Sequence, residues 1–383
     1  MKKTSCLLVV GMMLIGFTGC GGSTPPPIEI GHIAEKSRPD KAGEQAEWGL
    51  RLALNELSSD EALTKDFAGR KIQVRHTHTK GTPEEFEAQA VRLENVSRCV
   101  ALLGGSSTAE TSALANAKTP ILTFHGQPAA GAGNHVFYLG MSPVQQGAAL
   151  AKVAAEDARS ARVLILSDER RTEAVSVAES FQKTLQAARK QAGAEATILA
   201  LRFGKDAKWK EIAERTDVQK SSAVVFAGTA ADFNAWHKAY RAARKESKAE
   251  APLLVFAGGD GEQRLFDLEG DAQPSIMLAT AYLADPASEK IKAFTKSFRD
   301  AFQTEPEVNA ALAYDALRML VEAMKATRTQ LTSDKIRDEL LKVKKFEGLT
   351  GPLTVTADRQ VERPLHVMNW QNGAMTLIKT IGP

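Results

Sequence analysis

The chain has 383 residues, 43% hydrophobic and 25% charged, with 49 lysines and arginines against 46 aspartates and glutamates. Such a balance lacks the basic excess that a nucleic-acid surface needs. The length exceeds one small core and fits about two domains.

The chain opens with Lys2 and Lys3, followed by a short apolar run from Leu7 to Phe17. That run is too short to cross a bilayer and reads as a cleaved secretory signal. The ending "LIGFTGC" resembles a bacterial lipobox, in which small residues precede a cysteine that is lipidated and becomes residue one. The plainer alternative is an ordinary signal with an incidental cysteine. The expectation is a signal over 1–19 and lipidation at Cys20, which places the protein at the cell envelope, on the periplasmic or extracellular face. Loss of residues 1–19 leaves 47 basic residues, close to the 46 acidic ones. "GGSTPPP" follows Cys20 and is a flexible, then extended, tether reaching roughly 20 Å at about 3 Å per residue; with Cys20 it makes up 20–27. Cys6 leaves with the signal and Cys20 would carry lipid, so only Cys99 remains and no internal disulfide is expected. Cys99 starts an apolar run and is expected to be a buried, inert thiol.

From Ile28 short apolar strands alternate with longer amphipathic helices. "IEIGHIA" is a strand. Ala46, Leu50, Ala53, Leu54 and Leu57 mark one face of the next helix. "KIQVRHT" is a strand, Glu84–Leu93 a helix, "CVALLGG" a strand, Ala109–Ala117 a helix and "PILTFHG" a strand. The alternation then restarts. "QQGAALAKVAAEDA" is helical, "ARVLILSD" a strand, Glu173–Ala192 a long helix and "ATILALRF" a strand. Then come a helix in "WKEIAERT", a strand in "SAVVFAG", a helix in "AADFNAWHKAYRAARKE", and strands in "PLLVFAGG" and "SIMLATAYL". Helices are expected over Ser288–Phe302, Asn309–Ala326 and Ser333–Val343. The tail is strand-like, and "QNG" is a hairpin turn, because Asn-Gly tolerates positive φ. Strands alternating with helices give α/β lobes with parallel sheets covered on both faces, here two doubly wound ones.

Four stretches resemble the leucine/isoleucine/valine-binding family of type I periplasmic binding proteins. "GEQAEWGLRLALNEL" is similar to that family's first helix with its two glycines, here Gly43 and Gly49. "HVFYLGMSPVQQGAALA" resembles the entry to the second lobe. "AALAYDALRMLVEAM" resembles the late helix with its Tyr-Asp pair, here Tyr314 and Asp315, and "FEGLTGPLTVTADRQ" the C-terminal turn and strand. The resemblance implies two Rossmann-like lobes joined by three crossovers, with lobe one at 28–142 plus 285–345 and lobe two at 143–280 plus 350–383. It implies a monomeric binding protein that captures a small polar ligand (an amino acid, an amide or a related small acid) between the lobes by hinge closure and delivers it to an ABC transporter permease, without a cofactor.

Candidate ligand residues lie at strand ends, where helix N-termini present free N–H groups. The resemblance assigns Ser106, Ser107 and Thr108 to a ligand carboxylate; the alternative role for one of them is a helix N-cap. Gly126 offers a backbone N–H at the next strand end, and Gln127 stands where a small hydroxyl residue is common in the family. In the second lobe Asp260 and Glu262 end a strand, where a carboxylate suits an ammonium group; a solvated acidic loop is the alternative. Asp168 and Glu169 end another in the same way. The family's aromatic residues at the second-lobe helix start and after "VVFAG" are absent here, so leucine-like specificity is not expected.

His32, His76, His78 and His125 lie in or just after three strands of the first lobe. His76 and His78, two apart on a strand, share a face. A metal site or, when protonated, an anion site was weighed against scattered polar residues near a cleft, and the last is the expectation. No Gly-x-Ser-x-Gly elbow, Walker loop or His-Glu-x-x-His helix occurs, so no enzyme is expected. A ligand sensor and a structural envelope lipoprotein with a diverged cleft remain the other classes.

Overall fold

A computed structural model describes residues 25–114, 117–128, 131, 133–245, 250–268, 274–327 and 330–382. The signal, Cys20 and most of the tether lie outside these. The chain begins with β1 (Ile28–Glu35), α1 (Ala42–Ser58), α2 (Glu61–Asp66), β2 (Ile72–Thr79), α3 (Pro83–Asn95), β3 (Ala101–Gly104), α4 (Thr108–Ser112), β4 (Ile121–Thr123) and β5 (Val136–Tyr138). A second set follows: α5 (Pro143–Ala154), β6 (Arg162–Asp168), α6 (Thr172–Gln191), β7 (Thr197–Phe203), α7 (Trp209–Glu214), α8 (Thr216–Gln219), β8 (Ala223–Ala227), α9 (Ala230–Ala243), β9 (Leu253–Phe256) and β10 (Ile276–Thr280). The remainder comprises α10 (Glu289–Phe302), α11 (Val308–Ala326), α12 (Ser333–Leu341), β11 (Phe346–Gly348), β12 (Gly351–Val355), β13 (Val361–Glu362), β14 (Leu365–Gln371) and β15 (Ala374–Ile381).

The first sheet runs β2-β1-β3-β4-β5, with all its pairings parallel. In the second, β7-β6-β8-β9-β10 repeats that order in parallel, and antiparallel β14 and β15 extend it. Each sheet reverses its winding once, between β1 and β3 and between β6 and β8, and so opens a crevice at the carboxyl ends of those strands. The central strands β3 and β8 are buried at every position, as strands covered on both faces must be.

Residues 139–142, 281–288 and 363–364 cross between the lobes. The segment β11–β13 forms a separate three-stranded sheet that touches the first sheet through a bridge from Tyr138 to Gln360. The expected second-lobe start at 350 falls inside this small sheet, and the second sheet is rejoined only at β14.

The buried face of α1 carries Ala46, Leu50 and Ala53, and it packs on α11, whose Ala310, Ala313 and Leu317 are also buried. Gly49 lets the helices meet: a Cβ there would sit inside the radius of the Ala310 carbonyl oxygen. Gly49→Ala is expected to cost about 3 kcal/mol, the upper part of the overpacking range, because backbone must move rather than a side chain. Urea unfolding would show it, and an unchanged midpoint would refute the close contact.

Two local expectations need correction. The helix expected over 109–117 ends at Ser112. Ser112 and Thr111 turn their hydroxyls back onto the Thr108 and Ser107 carbonyls, bonds that compete with the backbone for those acceptors. The helix expected in "WKEIAERT" breaks at Arg215, whose backbone is extended. The "QNG" hairpin forms between β14 and β15, with Asn372 at φ 53 and Gly373 at φ 78. Cys99 is buried, and desolvation pushes its thiol up to about 11.

Candidate functional site

The two crevices face each other across a cavity of about 490 Å³. From the first lobe it is lined by Arg38 after β1, Ser106–Thr108 after β3, Phe124–Gly126 after β4, and Val308, Asn309 and Leu312 of α11. The second lobe contributes Arg170–Ala174 after β6, Gly228 after β8, and Ala257–Asp260 with Glu262 after β9. Met141, Pro143 and Gln146 line it from the first crossing and α5. Seven strand-end or crossing segments thus converge on one space with the help of the α11 start.

Ser106, Ser107, Thr108, Gly126, His125 and Asp260 all line this cavity; Gln127, His76 and His78 do not. Ser107 is the N-cap of α4, its Oγ accepting the Glu110 N–H at 3.2 Å. Glu110 answers: its Oε2 accepts the Ser106 N–H at 2.8 Å and the Ser106 and Ser107 hydroxyls at 3.2 and 3.4 Å. This is a variant of the Ser-x-x-Glu capping box, in which the glutamate takes the N–H of the residue before the cap instead of the cap's own. Burial pushes the Glu110 carboxyl above its ordinary value, and the Ser106 N–H opposes that. Thr108 Oγ1 lies 2.8 Å from His125 Nε2 and donates to Glu173 Oε2 of the second lobe at 3.3 Å. Desolvation lowers His125 to about 4 despite the nearby Glu173, so the ring is neutral at pH 7.

Gly126 does more than present an N–H. A Cβ there would collide with the Met141 carbonyl, so the β4 end rests directly on the first crossing. Asp260 Oδ2 accepts the Ala281 N–H of the second crossing at 2.7 Å, and burial raises its carboxyl to about 6. Glu262, 6% exposed, accepts the Ala230 N–H at 2.8 Å and is likewise pushed up by burial. Asp168 is turned away into a fork with Arg170, at 2.7 and 2.8 Å, and Glu169 does not line the cavity.

Arg38, Arg170, Arg171 and Glu173 were not among the expected site residues. Arg38 follows the carboxyl end of β1 and the other three follow β6, so strand-end position was the available signal. The α11 contribution had no local signal, because it arrives from far along the chain.

The other histidines form a group behind the cleft. His32, with no exposed surface, places Nδ1 2.9 Å from His76 Nδ1, and His78 Nε2 lies 3.1 Å from Glu47 Oε2. Lys36 and Arg51 also pair with Glu47. Among the described residues no group of three or more His, Cys, Asp or Glu is placed to hold a metal ion, and no described helix is long and apolar enough to cross a membrane.

Comparison with known proteins agrees with this architecture. None of the curated proteins matches the sequence. Among solved structures, a leucine-binding protein from Thermotoga maritima superposes with a TM-score of 0.75 at 20% identity, over 93% of this chain and 99% of that one. A branched-chain amino acid transporter substrate-binding protein from Streptococcus pneumoniae, in complex with isoleucine, gives 0.74 at 22%, over 93% and 100%. A solute-binding protein of an ABC transporter from Rhodopseudomonas palustris, in complex with 3,4-dihydroxybenzoic acid, gives 0.74 at 17%, over 93% and 97%. At these identities the likeness establishes the two-lobed fold. The family model for periplasmic binding proteins matches residues 27–374, nearly the whole described chain, and the protein belongs to that family.

Proposed function

We propose that this chain is an extracytoplasmic solute-binding lipoprotein, monomeric and without catalytic activity, that captures a small polar ligand and delivers it to an ABC permease. In this reading residues 1–19 are removed, Cys20 carries lipid, and the tether holds the two lobes near the membrane. The site residues in this reading are Ser106, Ser107, Thr108, Gly126, Asp260, Glu173 and Glu262, all of which line the cavity; Gln127 does not.

The observation that carries the reading is the cavity itself, built from strand ends of both lobes. A ligand there touches both lobes only when they are together, so it binds the closed form better than the open one, and that difference moves the population. No bond in the ligand has to change. The solved relatives in complex with isoleucine and with 3,4-dihydroxybenzoic acid support a small polar ligand.

The test is a thermal-shift screen over amino acids, amides, amines and aromatic acids. A ligand at 100 times its Kd is expected to add about 2.7 kcal/mol of stability. A screen in which no class shifts the transition would refute the binding role.

A further inference from the structure

The solute reading can be sharpened to a ligand class, and the sharpening rests on that reading. On the first lobe, the donors of the β3–α4 loop are already used. The Ser106 N–H and the Ser106 and Ser107 hydroxyls all converge on Glu110 Oε2. Glu110 is 1% exposed, and its Oε1 is buried with no partner. A carboxylate of the chain thus stands on the donors that would receive a ligand carboxylate. An incoming carboxylate would meet an acceptor and a like charge.

The cations of the cavity are committed as well. Arg38 is forked onto Asp40, Arg170 onto Asp168 with a further bond to Asp232 at 3.0 Å, and Arg171 is paired with Glu173 at 3.1 Å. His125 is neutral, so it adds no positive charge.

Acceptors are in surplus. Asp260 and Glu262 line the cavity, and each takes one backbone N–H. The Asp260 Oδ1 is buried without a hydrogen bond; Thr280 and Gly261 nearby favour its charge without completing one. Neither carboxylate has a lysine or arginine within ion-pair distance among the described residues; Arg363 acts on Asp260, and Arg171 and Arg38 on Glu262, only at longer range. A buried carboxylate without a cation is costly, and a bound cation removes that cost. We infer that the cleft takes a small organic cation, an ammonium or amidinium compound with no carboxylate of its own, its N–H donors set on Asp260 and Glu262.

Calorimetric titration of the full-length protein with matched pairs tests this: benzamidine against benzoate, and 3-methylbutylamine against leucine. The amidine or amine is expected to bind at least tenfold more tightly than its carboxylate counterpart. Asp260→Asn combined with Glu262→Gln is expected to weaken it a further hundredfold, with melting curves confirming that the variant folds. Glu110→Gln keeps the capping box, which accepts either residue, and is expected to narrow the preference by about tenfold. A carboxylate that binds as tightly as its partner would overturn the inference and leave the solute role standing. So would a carboxylate hit from the broader screen when neither pair binds. Silence from every compound would overturn both.

Discussion

Replacement of Arg363 by methionine is expected to remove about 3–5 kcal/mol of stability, the range seen when one member of a buried charged network is deleted. Arg363 is 1% exposed. Its Nη1 donates to Thr350 Oγ1 at 2.8 Å and its Nη2 to the Leu139 carbonyl. Thr350 passes the interaction on, donating Oγ1–H to Asp315 at 2.7 Å, while the Leu349 and Thr350 N–H groups hold the same carboxylate at 2.7 and 2.9 Å. Methionine would fill the volume but strand the Leu139 carbonyl. It would also leave the buried Asp315, and at longer range Asp260, without a cation that favours the charged form. Lysine is expected to recover part of the loss, because one ammonium cannot fork as a guanidinium does. Urea unfolding of both variants checks this; a methionine variant within about 1 kcal/mol of the wild type would mean the network is dispensable.

Stability is expected to fall steeply as pH drops from 7 to 5. Desolvation holds His32 at about 3, and His125 and His237 at about 4, all below the ordinary value of 6.5. The unfolded chain binds protons at these three rings below pH 6.5, and the folded chain does not. Each ring therefore removes about 1.4 kcal/mol of stability per pH unit in that window. Asp260 works the other way: its folded value of about 6 exceeds the unfolded one, so acid favours the folded form there. It offsets about one ring. The net expectation is a slope of roughly 3 kcal/mol per unit near pH 5. His32→Leu is expected to flatten the slope by about a half, whatever it does to stability at pH 7. A profile flat between pH 7 and 5 would refute buried neutral histidines.

The parallel sheets were readable because their central strands are almost wholly apolar. "ALLG" and "AVVFA", buried at every position, cannot be placed at a surface. The hairpin was readable because Asn372 and Gly373 are among the few residues that accept positive φ together. The short β5 was not, since three residues carry no period. The cleft was half readable. Strand ends located the serine loop and Asp260, yet the Ser107–Glu110 box, present in the sequence as Ser-Thr-Ala-Glu, changes what that loop can hold. Arg363 gave no signal. A charged residue in a turn-rich tail resembles a surface group, and only the fold shows that the small sheet and the first crossing close over it.

The contacts that bridge the lobes have a cost for fidelity. Thr108 reaches Glu173, and Arg264 of the second lobe reaches the Asp40 carbonyl at 2.9 Å and the Glu307 carboxylate of the first. All are made by atoms of the chain, so they hold the lobes together whether the cleft is full or empty. At about 0.5–1 kcal/mol for each partly exposed bond, together they multiply the closed fraction of empty molecules roughly tenfold or more. In the proposed transport cycle, a permease that recognises the closed shape would then meet false positives. The ratio of loaded to empty closed molecules, rather than affinity alone, limits how faithfully that partner's cycle follows the solute outside.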